Sequence, residues 1–166
     1  QQWRIDPLRH TSEANCNNIG NSDIRGHTTT ATTIQVARTL LHKHGGYLTN
    51  DLFPPGLWLD NIPSWEMGAL TLLRDTAGFT ETTSRGSKVI GKDPNLAEAE
   101  GKFFFDNNSW FLPDTEGEYQ DGIAFFDAYL QQLANTAAND AQFYARSDNL
   151  QVWLGAMETR LGSLSQ

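Results

Sequence analysis

Three groups of residues in this chain have types and spacings that could do chemistry. The first is His42-Lys43-His44 with His10, Cys16 and His27 upstream, all zinc-ligand types apart from the lysine. Residues two apart on a helix point about 200° away from each other, so His42 and His44 converge on one metal only if the helix has already ended. At a helix C-terminus the same imidazoles complement the dipole, and no metal site is assigned.

The second group is acidic and aromatic. Asp51, Asp60 and Glu66 sit in or beside a stretch carrying Trp58 and Trp65, and Asp106 lies in FFFDNNSWFLP (103–113) between Phe105 and Trp110. Carboxylates beside aromatic platforms are what glycan-cleaving sites use, one as acid and the other as base or nucleophile. Asp and Asn also hold turns and cap helices through their own backbone bonds, and that plainer role is the expected one for Asp51, Asp60 and Asp106. No catalytic residue is assigned. Trp58, Asp60, Trp65, Glu66, Asp106, Asn108 and Trp110 stand as candidate ligand contacts.

The third is Arg146 in AQFYARSDNL, which could pair with an acidic loop or a ligand carboxylate and joins the candidate contacts. Its neighbours Phe143 and Tyr144 read as the apolar lead-in to the helix that Ser147 opens. There is no phosphate-binding loop, no GxGxxG and no Gly-x-Ser-x-Gly elbow, and no cofactor is implied.

The elements that must position these residues read as helices. From about 29 to 44, Ile34, Ala37 and Leu41 fall at helical spacing until Gly45 and Gly46 stop the helix. GYLTNDLFPPGLWLDNIP has three prolines among Leu, Phe and Trp, and predicts an ordered loop packed on the core. Pro63 fits the first turn of a second helix that ends near 83, capped by Asn61 or a neighbour, with Trp65, Ala69, Leu72, Leu73 and Ala77 on its apolar face. Asp93-Pro94 predicts the cap and first position of a third helix, LAEAEGKFFF.

Thr115 and Glu118 match a capping box, followed by Tyr119, Ile123, Phe126, Leu130 and Leu133. Leu150, Leu154, Met157, Leu161 and Leu164 repeat the same stepping, with Trp153 widening the face. The two stripes predict a C-terminal antiparallel helical hairpin. For FFFDNNSWFLP the expectation is a joint: Phe103 to Phe105 finish a helix against the core, Asp106 to Ser109 turn, and Trp110 to Leu112 return to the core. The fold class is all-α, a single domain of about five helices at 28–166 preceded by an extended arm at 1–27.

Composition restricts the partners. A net charge of −8 with scattered Lys and Arg carries no electrostatic footprint for nucleic acid, and it disfavours adsorption to anionic lipid headgroups. With 166 residues, five Trp and nine Phe, the chain has the length and the apolar content for one core. A lone Cys16 makes no internal disulfide, which suits either side of a bacterial inner membrane.

The ordered motifs TLLHKHGGYLTNDLFPPGLWLDNIPSWEMGAL, DPNLAEAE, FDNNSWFLPDTEGEY, AQFYARSDNLQVWL and RLGSLSQ resemble the bacterial family of unknown function numbered 2333, over about 28–166. The resemblance implies a proteobacterial inner-membrane protein with one N-terminal transmembrane helix and a periplasm-facing domain. Residues 1–27 then read as a tether, with the anchor missing from this chain, and members continue past RLGSLSQ. No catalytic role comes with it. The expected function is therefore a non-enzymatic, periplasm-facing scaffold or accessory subunit that contacts envelope or inner-membrane proteins, or a second copy of itself. The alternative is a cell-wall glycan-binding or glycan-cleaving module built on the 47–66 and 103–113 segments.

Overall fold

Each helix starts and stops where local chemistry dictates. The computed structural model describes residues 24–50, 61–84, 93–109, 113–135 and 141–164. Helix α1 (His27–His42) begins after Gly26, whose φ of 84° is left-handed, and ends as Lys43 turns extended. Gly45 and Gly46 then take φ of 98° and 72°, a conformation that glycine adopts without a Cβ penalty. Helix α2 (Asn61–Ser84) holds Pro63 in its first turn, and its cap position falls on residue 60, outside the described residues. Helix α3 (Pro94–Phe103) is capped as expected: the Asp93 carboxylate accepts from the Asn95 and Leu96 amides at 2.9 and 3.4 Å.

Helix α4 (Thr115–Ala134) is capped differently from the expectation. Asp114 is the cap residue, accepting from the Gly117 amide at 3.0 Å, and Glu118 pairs with Lys102 at 2.8 Å instead of closing a capping box. Thr115 is thereby the first helical residue, fully buried, and its hydroxyl donates to the carbonyls of Asp106 and Ser109, both at 2.8 Å. That side chain locks the 106–109 turn onto the start of α4. Thr115→Val keeps the shape and leaves the Asp106 carbonyl without this donor, so urea denaturation should show a loss of about 1–2 kcal/mol.

The core joins α1 to α4. Helix α4 packs on α3 and α1, and α2 packs on the same two, so the four helices close a ring around Leu40, Leu70, Leu96, Phe103, Phe126 and Tyr129. Among the described residues there is no strand. Helix α5 (Ser147–Leu164) stands outside the ring and rests on α2. The expected antiparallel hairpin between the last two helices is not formed. Tyr119, Ile123, Phe126, Leu130 and Leu133 of α4 are already buried against α1 and α3, so α4 has no apolar face left for α5. Trp153 instead lies 5.1 Å from Phe79, ring to ring, and Arg160 pairs with Asp75 at 2.5 Å.

Two further expectations are revised. Phe103 is buried but Phe104 is 58% exposed, because successive helical residues diverge by about 100° and α3 ends at Phe103. The Arg74 guanidinium lies 5.5 Å from the Phe104 ring while donating to the Phe103 and Phe105 carbonyls at 2.7 and 2.9 Å, which satisfies the end of α3. On α2, Trp65 and Leu72 are exposed while Leu70, not singled out by spacing, is buried. The Pro/Trp-rich loop at 51–60, the segment 110–112 and the arm up to residue 23 lie outside the described residues.

Candidate functional site

The residues named from sequence fall into three places. Glu66 is completely enclosed: one carboxylate oxygen accepts from the Lys43 ammonium and the Leu48 amide, and the other from the Thr49 hydroxyl. It pins residues 43–49 to α2. Trp65 beside it is exposed, with the Lys43 ammonium 5.9 Å from its ring. Asp106 is exposed and forms an Asx turn, accepting from the amide of Asn108, which is also exposed, at 3.1 Å. Residues 47–50 connect these two places, since the Tyr47 hydroxyl donates to the Asn107 carbonyl at 3.3 Å and the Asn50 amide to the Ser109 carbonyl at 3.2 Å. Trp58, Asp60 and Trp110 lie outside the described residues, as do His10, Cys16 and Asp51.

His27 and His42 mark opposite ends of α1, about 22 Å apart along its axis, so they share no metal. Among the described residues no three His, Cys, Asp or Glu side chains converge on a metal position. Burial raises the hydroxyl pKa of Tyr47, Tyr119 and Tyr129, which holds these groups neutral as hydrogen-bond donors rather than bases.

Arg146 marks the third place, a cleft of about 710 Å³ between α1, α2 and the segment that leads into α5. Its aromatic side is continuous: Phe79 of α2 meets Phe143 edge-on at 6.5 Å and Trp153 of α5 at 5.1 Å. Phe143 reaches its position because residue 26 is glycine, where a Cβ would stand 2.2 Å from the Phe143 ring. The Tyr144 amide donates to the Thr83 carbonyl at 3.1 Å and fixes the lead-in to the end of α2. The apolar lead-in therefore packs on α2 and against Gly26, just before α1. Gly26→Ala adds both a strained φ and this clash, so a loss of roughly 1–3 kcal/mol is expected in thermal unfolding.

The opposite wall comes from α1, where Thr28, Thr32 and Val36 follow one another at four-residue spacing. Two hydroxyls at the cleft are turned back onto their own helices, Thr33 to the Thr29 carbonyl at 2.9 Å and Thr76 to the Leu72 carbonyl at 2.7 Å. Arg146 is the one charged lining residue described, and it is held by Asp148 in two bonds of 3.1 and 2.8 Å. The Trp153 Nε1 is buried and has no hydrogen-bond partner. Sequence reasoning found Arg146 and Trp153 but not this cleft; the signal present was the run TTTATT at 28–33, which gives a helix one face of small, half-apolar residues.

A family model matches residues 2–166, nearly the whole chain. The chain belongs to DUF2333. That family is described as uncharacterized protein conserved in bacteria, and it agrees with the order of motifs noted above. No curated protein and no solved structure matches the chain. DUF2333 membership thus brings no residue roles with it, and the chemistry rests on the geometry.

One feature of this DUF2333 chain stands apart from the cleft. No described side chain of α5 is fully buried, yet the helix carries Val152 at 75%, Leu154 at 51% and Leu161 at 68% exposure. Leu150 and Leu72, both more than two-fifths exposed, carry the apolar surface from α5 into the mouth of the cleft. Among the described residues no helix is long and apolar enough to cross a membrane.

Proposed function

We propose that this domain is a non-enzymatic contact module, a scaffold or accessory subunit that docks envelope proteins along the exposed side of α5. The observation that carries this reading is that α5 has the apolar stepping of a packed helix while no described side chain on it is fully buried. Leu150, Leu154 and Leu161 share one face of the helix while Val152 lies opposite them, and an exposed apolar stripe of that kind marks interaction sites in folded proteins, whereas a single Leu on a surface does not. The envelope placement, in the inner membrane with the domain facing the periplasm, rests on the resemblance of the motifs to anchored proteins of that kind. The acidic surface agrees with a protein partner and disfavours nucleic acid. The glycan reading has less support, because Trp65 is exposed but the carboxylate beside it, Glu66, is enclosed.

Leu154→Glu combined with Leu161→Glu tests the reading. Both positions are exposed, so the domain should keep its stability to within about 1 kcal/mol. Mild crosslinking of the full protein in its native host, followed by purification, should then lose an envelope partner that the unmodified protein retains. Retention of that partner by the double variant would contradict docking on α5.

A further inference from the structure

We infer that α5 is a hinged helix: it leaves α2 as one unit about residues 145–147 while α1–α4 stay folded, and its departure uncovers an aromatic surface on α2 that the closed position hides. The inference rests on how α5 is held and not on what docks along its outer side.

Little holds the closed position. Among the described residues α5 meets α2 and no other helix, along a face of α2 where Asp75 and Phe79 stand four residues apart. Phe79 packs on the Trp153 ring at 5.1 Å, and Asp75 pairs with Arg160 at 2.5 Å. Arg160 is half exposed, and an ion pair in that setting adds little stability. No described side chain of α5 is fully buried, and Leu150, Leu154 and Leu161 remain exposed, so docking takes little of the helix's apolar surface from water. The buried Trp153 Nε1 works against closure, since its N–H has no acceptor there and gains water when the helix leaves.

The hinge follows from what is fixed before it. The Tyr129 hydroxyl donates to the Gln142 carbonyl at 3.0 Å, Phe143 sits against Gly26 and Phe79, and the Tyr144 amide donates to the Thr83 carbonyl at 3.1 Å. Ala145, Arg146 and Ser147 are then exposed, and the Arg146 guanidinium pairs forward with Asp148 instead of back to α1–α4. Beyond them the 18 residues of α5 form one hydrogen-bonded rod, and an isolated helix of that length is marginal in water. Its amides therefore open to solvent in a single event, a cooperative unit smaller than the whole domain. Opening bares Phe79 on α2 and Trp153 on α5, and Phe79 then extends the exposed Leu72 seven residues before it on the same face.

Hydrogen exchange of the ¹⁵N-labelled protein, followed by NMR in low concentrations of urea, tests this without any partner. The amides of 151–163 and the Trp153 indole N–H should share one protection factor, at least about 100-fold below that of the slowest α1–α4 amides and nearly independent of urea, because the opening exposes little surface. Trp153→Ala removes the contact with Phe79 and should lower the protection of α5 about tenfold. Thr115→Val loosens α1–α4 far from α5, and should lower their slowest amides about fivefold or more while leaving α5 within about twofold. The inference is overturned if α5 shares the protection and urea dependence of α1–α4, if Thr115→Val lowers both together, or if Trp153→Ala leaves α5 unchanged. Exchange of the α5 amides at the unprotected rate would overturn it equally, since α5 would then have no closed position to leave.

Discussion

Replacing Glu66 by alanine is expected to lower stability by about 3–5 kcal/mol, the usual result of removing one partner from a buried ion pair. The carboxylate is fully enclosed and Lys43 is nearly so, with its side chain 16% exposed. Without Glu66 the Lys43 ammonium, the Leu48 amide and the Thr49 hydroxyl all lose an acceptor. Lys43 retains the Leu40 and Gly46 carbonyls, which lessens the loss without neutralising the largely buried ammonium left behind. Thermal unfolding should show a fall on the order of 10 °C, and Glu66→Gln should fall between the two because it keeps the shape and one acceptor. A melting temperature within 2–3 °C of the unmodified protein, roughly the effect of 1 kcal/mol, would mean that the 43–49 segment does not depend on this contact.

Phe103→Ala should cost about as much, roughly 3–5 kcal/mol, through a different cause. The ring is buried between Tyr119 at 6.1 Å and Phe126 at 5.8 Å, and α4 approaches it at Gly122, where a Cβ would stand 3.2 Å away. Removing the ring leaves a cavity where α3 and α4 meet, and two rigid aromatics collapse poorly into it. Phe104→Ala, one residue on, should cost less than about 1 kcal/mol because that ring is exposed. Equilibrium denaturation of the pair separates core packing from aromatic content, since both variants lose one phenyl ring.

The helices were legible because their signals are local. Asp93-Pro94 and the steps from Tyr119 to Leu133 need only neighbours in sequence to be read, and both take the roles expected of them. The hairpin was not legible, because the spacing of an apolar stripe says that a helix wants a partner and not which one. The competition for α4 was settled by α1 and α3, and α5 was left to α2. Asp114 displaced Thr115 as the cap because both can cap, and the choice depends on the 106–109 turn to which Thr115 bonds.

The candidate site was read less well for the same reason. Glu66 looked accessible beside Trp65, but its partners Lys43, Leu48 and Thr49 are about twenty residues away and meet it only in the fold. The turn expected in FFFDNNSW holds for Asp106 to Ser109, where an Asx bond and Thr115 account for it. The cleft is assembled from α1, α2 and 143–153, and only its threonine wall leaves a trace in one continuous stretch of sequence.

The claim that α5 is a docking surface is tested most directly by a photoreactive side chain placed at Leu154 or at Leu161 in the full protein, illuminated in living native cells. Both positions should yield an adduct with the same envelope protein, and the same residue at the exposed Gln120 of α4 should yield none. Absence of an adduct from both α5 positions, or an equal adduct from Gln120, would contradict the account.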